Sequence, residues 1–102
     1  MLVLVLACAE ANAAPDCRKV RVAGVVLTRQ RPGKGNAVFI TIEDETGVVN
    51  LIVWQDVRER YRRALLESRL LAVRGTWQQR DGVAHLLARD LSASGLYRDV
   101  QT

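Results

Sequence analysis

The amino-acid sequence predicts a small all-β domain that contains one helix. Five segments alternate apolar and polar residues with the period of a β-strand, and a single segment carries an apolar stripe with helical spacing. The chain has 102 residues, of which 49% are hydrophobic and 25% are charged, so it can form one folded core. This composition excludes a chain that is mainly disordered.

The first three predicted strands follow one another directly. The segment 20–30 is rich in β-branched residues, and Gly24 inside it predicts a bulge or a sharp bend. After the loop at 31–36, the second strand covers 37–43, and a tight turn leads to the third strand at 48–54. Short connections of this kind are typical of an antiparallel meander.

Alternation along the second and third strands assigns their side chains to two faces. The inward face holds Val38, Ile40, Ile42, Val49, Leu51 and Val53. Phe39, Thr41 and Asn50 therefore point outward, and Phe39 is the chain's single phenylalanine. We expect Trp54, at the end of its strand, to pack under the helix and Trp77 to lie in the core.

A helix is predicted at 56–67, with Asp56 as its N-cap and Val57, Tyr61 and Leu65 on one apolar stripe. The fourth strand covers 70–79 and contains a second internal glycine, Gly75. A hairpin signal at 80–82 precedes the fifth strand at 83–91.

The order β-β-β-α-β-β is that of the OB-fold, a five-stranded Greek-key barrel. A small SH3-like barrel is the alternative, but the position of the helix favours the OB-fold. We assign the barrel to residues 18–97, with Leu96 and Tyr97 docking on it, and a polar tail to 98–102.

Residues 1–17 are interpreted as a separate extension that lacks lysine and arginine. A short apolar stretch with Ala-x-Ala spacing suggests a secretory leader, and a short helix or a non-native leader is the alternative. Cys8 and Cys17 would pair only in an exported chain; in the cytoplasm, our preferred localisation, they would stay reduced.

The charge points to a polyanionic ligand. The net charge is +4, and all 15 basic residues, 13 of them arginine, lie from Arg18 onward. An OB-fold binds its ligand across the second and third strands and the flanking loops. We expect Arg29, Arg31 and Lys34 to bind phosphates, Phe39 to stack on a base, and Thr41, Asn50 and Arg80 to make polar contacts. The predicted ligand is single-stranded DNA, with RNA as the alternative.

The sequence gives little support to a catalytic site or to a metal-binding site. His85 is the single histidine, lies within a strand, and is interpreted as a structural or surface residue. Cys8, Cys17 and His85 lack the spacing of a zinc site, and the acidic turn at 43–45 is interpreted as solubilising rather than as a magnesium site. No apolar run reaches the roughly 20 residues that span a bilayer. We expect neither a cofactor nor a membrane partner.

Several motifs between residues 22 and 54 occur together. They are VAG at 22–24, RQRPG at 29–33, FITIEDETG at 39–47 and NLIVW at 50–54. In this order they resemble the C-terminal OB-fold domain of bacterial C-family DNA polymerase III alpha subunits, in their error-prone branch. FITIEDETG also resembles the anticodon-binding barrel of class II aminoacyl-tRNA synthetases, in which the residues matching Phe39 and Asn50 contact bases.

The resemblance implies a non-catalytic module of an error-prone polymerase, active in translesion synthesis and DNA repair. The polymerase catalytic domains have no counterpart in this sequence. Three alternatives stay open: a module that docks a polymerase accessory protein, an exported OB-fold protein, and a gene fragment without a selected function.

Overall fold

The computed structural model describes residues 4–31, 36–80 and 82–93. Its elements, in chain order, are β1 (Leu4–Val5), α1 (Cys8–Asn12), β2 (Lys19–Gln30), β3 (Val38–Asp44), β4 (Gly47–Val53), α2 (Gln55–Arg60), α3 (Arg62–Glu67), β5 (Leu70–Arg80) and β6 (Val83–Ala93). Lys34, the docking of Leu96 and Tyr97, and the tail at 98–102 lie outside the described residues.

Five long strands close into a barrel. Antiparallel pairing joins β2 to β3, β3 to β4, and β5 to β6. β2 also pairs with β5, and β4 pairs in parallel with β6, which completes the circle. The two residues of β1 add in parallel to the start of β2. The five-stranded barrel predicted from the order of the elements is confirmed.

The core lies inside the barrel and follows the predicted alternation. All six residues assigned inward on β3 and β4 are buried. Trp77 on β5 is fully buried, as predicted, and packs among aliphatic side chains from the other strands. The opposite face of β3 and β4 is consequently available at the surface.

The two glycines within strands lie where backbones approach closely. A Cβ atom on Gly24 would lie 2.7 Å from the carbonyl oxygen of Glu43, and one on Gly75 would lie 2.1 Å from that of Leu87. The register of β5 against β6 shifts between Arg74 and Gly75, which is a β-bulge. Glycine therefore permits the bends that barrel closure needs.

The helical segment differs from the prediction. The single helix expected at 56–67 is two short helices, α2 and α3, because Tyr61 between them has φ −113° and ψ 29°. Helix α2 begins at Gln55, so Trp54 rather than Asp56 occupies the N-cap position. The expectation that Trp54 packs under the helix is wrong: its side chain is 49% exposed. As the residue before the helix, it extends into solvent.

The segment before β2 packs against the barrel. Cys8 and Ala11 of α1 are buried and join the core cluster. The first N–H groups of α1 reach the β3–β4 turn: Cys8 N donates to Asp44 Oδ2 (2.8 Å) and Ala9 N donates to Thr46 Oγ1 (3.0 Å). Cys8 is buried, Cys17 is exposed, and no disulfide joins them. The assignment of 1–17 as a separate unit stays a prediction.

Candidate functional site

A shallow groove of about 390 Å³ crosses the outer face of β3 and β4. Its lining consists of Gln30, Phe39, Ile40, Thr41, Asn50, Leu51, Ile52, Val83, Ala84 and His85. The register explains this set, because Phe39 lies opposite Ile52 and Thr41 opposite Asn50, while β6 runs alongside β4. The structure thus places three of the seven predicted site residues together: Phe39, Thr41 and Asn50.

Phe39 provides the aromatic surface of the groove. Its side chain is 41% exposed, while its chain neighbours Val38 and Ile40 are buried. The outward orientation predicted from alternation is confirmed. An exposed ring on a rigid strand offers a flat face on which a nucleobase can stack.

Thr41 and Asn50 form a cross-strand pair beside this ring. Thr41 Oγ1 donates to Asn50 Oδ1 at 2.9 Å. This bond orients the Asn50 carboxamide, whose NH₂ group has no hydrogen-bond partner in the described part of the chain. The pair therefore holds an unused donor at the surface of the groove.

His85 lies at the opposite side of the groove, where the sequence did not predict a site residue. Its Nε2 lies 3.1 Å from Gln78 Oε1 on the neighbouring strand, and its side chain is half-buried. Only the parallel pairing of β4 with β6 brings it near Asn50. Local sequence carries no signal for such a pairing, because the two strands are joined through the helices and β5.

The predicted basic residues take other positions. Arg29 Nε donates to the carbonyl oxygen of Leu65 at 2.7 Å, and its Nη2 donates to that of Ser68. Arg29 and Arg31 line a separate cavity beside α2 and α3 rather than the groove. Lys34 lies outside the described residues, as does the side chain of Arg80, whose backbone pairs with Val83.

A second polar cluster lies away from the groove and joins the helices to the barrel. Tyr61 Oη and the Arg74 guanidinium both donate to the carboxylate of Asp90. The hydrogen bond from Tyr61, followed by that from Arg74, lowers the pKa of Asp90, and the same bond raises the pKa of Tyr61. Within this cluster the carboxylate of Asp90 pairs with the guanidinium of Arg74, so the cluster fits a structural role.

The described residues contain no group of three or more histidine, cysteine, aspartate or glutamate side chains that could hold a metal ion. In the same part of the chain, no helix has the length and apolar character needed to cross a membrane.

Comparison with known proteins gives a consistent result. A family model described as an OB-fold nucleic acid binding domain matches residues 20–93. An error-prone DNA polymerase of Xanthomonas axonopodis pv. citri is 56% identical over 84 residues, which cover 80% of this chain and 8% of the polymerase. The chain thus spans less than a tenth of the length of the curated relatives it matches. The resemblance predicted from the RQRPG and FITIEDETG motifs is confirmed.

Two solved structures illustrate the similarity of the fold. Asparaginyl-tRNA synthetase from Pyrococcus horikoshii matches with a TM-score of 0.72 and 30% identity over 85% of this chain and 22% of the synthetase. A chain of a replication protein A heterotrimer bound to single-stranded DNA matches with a TM-score of 0.74 and 15% identity, over 99% of this chain and 88% of that one. At 15% identity the second likeness concerns the fold alone.

Proposed function

Because this chain belongs to the family of OB-fold nucleic acid binding domains, we propose that it binds single-stranded DNA in the groove on β3 and β4. The binding is non-catalytic: the domain holds a strand and transforms nothing. The observation that carries the proposal is the exposed ring of Phe39 beside the oriented carboxamide of Asn50. Stacking contributes about 1–3 kcal/mol per base and accepts any base, so we expect weak sequence preference.

The groove itself is mostly apolar and amide-lined, so phosphate contacts must come from its borders. Arg31 directly follows Gln30, the last residue of β2, which lines the groove. Lys34 lies in the sequence between β2 and β3, and Arg80 is the last residue of β5, so both lie next to the connections that flank an OB-fold ligand. These three residues are the proposed phosphate and polar contacts. Arg29 donates hydrogen bonds to the carbonyl oxygens of Leu65 and Ser68 and lines the neighbouring cavity, so any phosphate contact of Arg29 lies on that side.

The relatives suggest where such a module works. The matched polymerases carry the name error-prone, which supports a role in error-prone DNA synthesis. We propose that this role belongs to translesion synthesis and DNA repair in the cytoplasm. In that setting the domain would hold the single-stranded template near the primer end, and polymerase accessory proteins would be its protein partners.

The test is fluorescence anisotropy of a labelled dT oligonucleotide at two salt concentrations, with wild type and Phe39→Ala. We expect binding that weakens with salt and a loss of at least about 5-fold in affinity on removal of the ring. Trp54→Ala is the matched control, because Trp54 is an equally exposed aromatic residue that does not line the groove.

Two results would contradict the proposal. One is a folded wild-type protein that does not bind dT at low salt, which would favour a protein partner instead. The other is an equal loss of affinity in Phe39→Ala and Trp54→Ala, which would place the ligand elsewhere on the barrel.

A further inference from the structure

A second cavity, of about 440 Å³, lies between the end of β2 and the helices α2 and α3. Four arginines line it, together with a single carboxylate: Arg29, Arg31, Arg58, Arg62 and Glu59. The lining therefore carries a net charge of +3. We call this cavity the arginine pocket.

The positive charge of the arginine pocket is not neutralised from within. In the described part of the chain, the ion pairs are Arg63–Glu67 and Arg74–Asp90, and neither includes a lining arginine. The carboxylate of Glu59 accepts a hydrogen bond from Gln55 Nε2 at 3.2 Å. Like charges that line one cavity favour an anion between them.

Arg58 supplies an independent observation. Its Nη1 atom is buried and has no hydrogen-bond partner among the described residues. A buried charged donor without an acceptor is energetically unfavourable, so such groups commonly face a ligand or ordered water. The described residues thus supply no acceptor for this atom, which leaves it available to an oxygen of a ligand.

Arg29 gives the pocket a rigid wall. Its guanidinium is held by the carbonyl oxygens of Leu65 and Ser68, near the end of α3. Because these bonds fix its plane before any ligand arrives, little side-chain entropy remains to be lost on binding. These bonds use Nε and one N–H of Nη2, so the other edge of the guanidinium, Nη1 with the second N–H of Nη2, remains for a phosphate group.

The arginine pocket lies next to the groove. Gln30 lines both cavities, and Val38 of the pocket is followed in the chain by Phe39 of the groove. We propose that the arginine pocket binds a phosphodiester group of the same single strand that stacks on Phe39. The strand then runs from the groove, past Gln30, to the helices. This inference rests on the proposed function and extends its site onto the helical segment.

The experiment compares a short and a long strand. Labelled dT oligonucleotides of about 4 and about 12 nucleotides, within the range that one OB-fold occupies, are titrated with wild type and with Arg62→Gln. The short strand fills the groove, and the long one also reaches the pocket. We expect Arg62→Gln to weaken binding of the long strand about 5-fold at low salt, and to leave the short strand unchanged.

The salt dependence gives a second readout. Loss of one phosphate contact lowers the slope of log K against log salt by about 0.7 for a single strand, which a merely structural role would not do. Arg58→Lys keeps the charge but loses the planar fork, and we expect it to weaken the long strand as well. Urea denaturation confirms that each variant is folded.

Arg63→Gln is the matched control, because Arg63 lies on the same helix, pairs with Glu67 and does not line the pocket. If Arg62→Gln and Arg58→Lys bind both strands as Arg63→Gln does, the inference is wrong while the groove proposal stands. Equally weakened binding of the short and the long strand also overturns the inference, since the pocket would then not lengthen the stretch of DNA that the domain contacts. A wild type that binds neither strand overturns both proposals.

Discussion

Replacing Asp44 by asparagine removes one negative charge from the turn between β3 and β4. Asp44 Oδ1 accepts hydrogen bonds from Thr46 N (2.8 Å), Thr46 Oγ1 (2.6 Å) and Gly47 N (3.2 Å), and Oδ2 accepts from Cys8 N (2.8 Å). An asparagine keeps one acceptor oxygen but turns an NH₂ group toward an N–H donor. The change therefore loosens either the turn or the attachment of α1.

The expected loss follows from the pKa of this carboxyl. The hydrogen bond from the Thr46 hydroxyl, together with those from the backbone, lowers the pKa of Asp44 from 3.8 to about 2. A shift of this size corresponds to about 1–2 kcal/mol of folding stability once solvent screening of a part-exposed carboxylate is allowed for. We expect Asp44→Asn to lower the free energy of unfolding by that amount at pH 7.

The sign of the pH dependence provides a sharper test. Because the pKa is lower in the folded state, the stabilisation is complete above about pH 5 and is lost as the pH falls through the folded pKa of about 2. The gap between wild type and Asp44→Asn should therefore be constant from about pH 7 to about pH 5 and shrink to about a third of that value near pH 2.5. Urea denaturation followed by tryptophan fluorescence measures both curves.

Glu45→Gln is the matched control, since Glu45 is the adjacent exposed carboxylate and makes no side-chain hydrogen bond to the described residues. The reasoning is refuted if the two variants are equally stable at pH 7. It is also refuted if the gap between wild type and Asp44→Asn stays constant down to pH 2.5.

Two further predictions concern the cysteines and the bulge. Burial, followed by the nearby charge of Asp44, raises the pKa of Cys8 to about 11. At pH 8 only about one Cys8 in a thousand is a thiolate, so a thiol reagent should modify Cys17 and leave Cys8 intact until the protein unfolds; rapid reaction of both would contradict this. Gly75→Ala should lower the free energy of unfolding by about 3 kcal/mol, because the new Cβ meets the Leu87 backbone. In Gly82→Ala, which has open space but φ +78°, the loss should be about 1 kcal/mol, and equal losses in urea denaturation would argue against the steric cause.

The parts of the fold that depend on local alternation were predictable. A strand places successive side chains on opposite faces, so burial of Ile40 requires exposure of Phe39. The glycines at positions 24 and 75 likewise marked the sites where backbones approach each other. The same local pattern did not reveal the break at Tyr61, whose hydroxyl donates to Asp90, 29 positions further along the chain.

The parts of the site that depend on distant pairing were not predictable. Arg29 lies in a basic run that resembles a solvated loop, yet its guanidinium binds the carbonyl oxygen of Leu65. His85 becomes a groove residue only through the contact of β4 with β6. Both positions depend on contacts between residues that are far apart in the sequence, and neither periodicity nor composition predicts such contacts.

The parallel pairing of β4 with β6 has a mechanical consequence. It comprises two residue pairs, Leu51 with Leu86 and Ile52 with Leu87, and is the shortest pairing that closes the described barrel. The pairing of β2 with β5 runs from Lys19 to Val25. The groove lies across this seam, since its lining includes residues of both β4 and β6. A strand bound there as proposed would contact both sides of the seam, and it would thereby stabilise the closed barrel, because a ligand that binds only the folded state stabilises it.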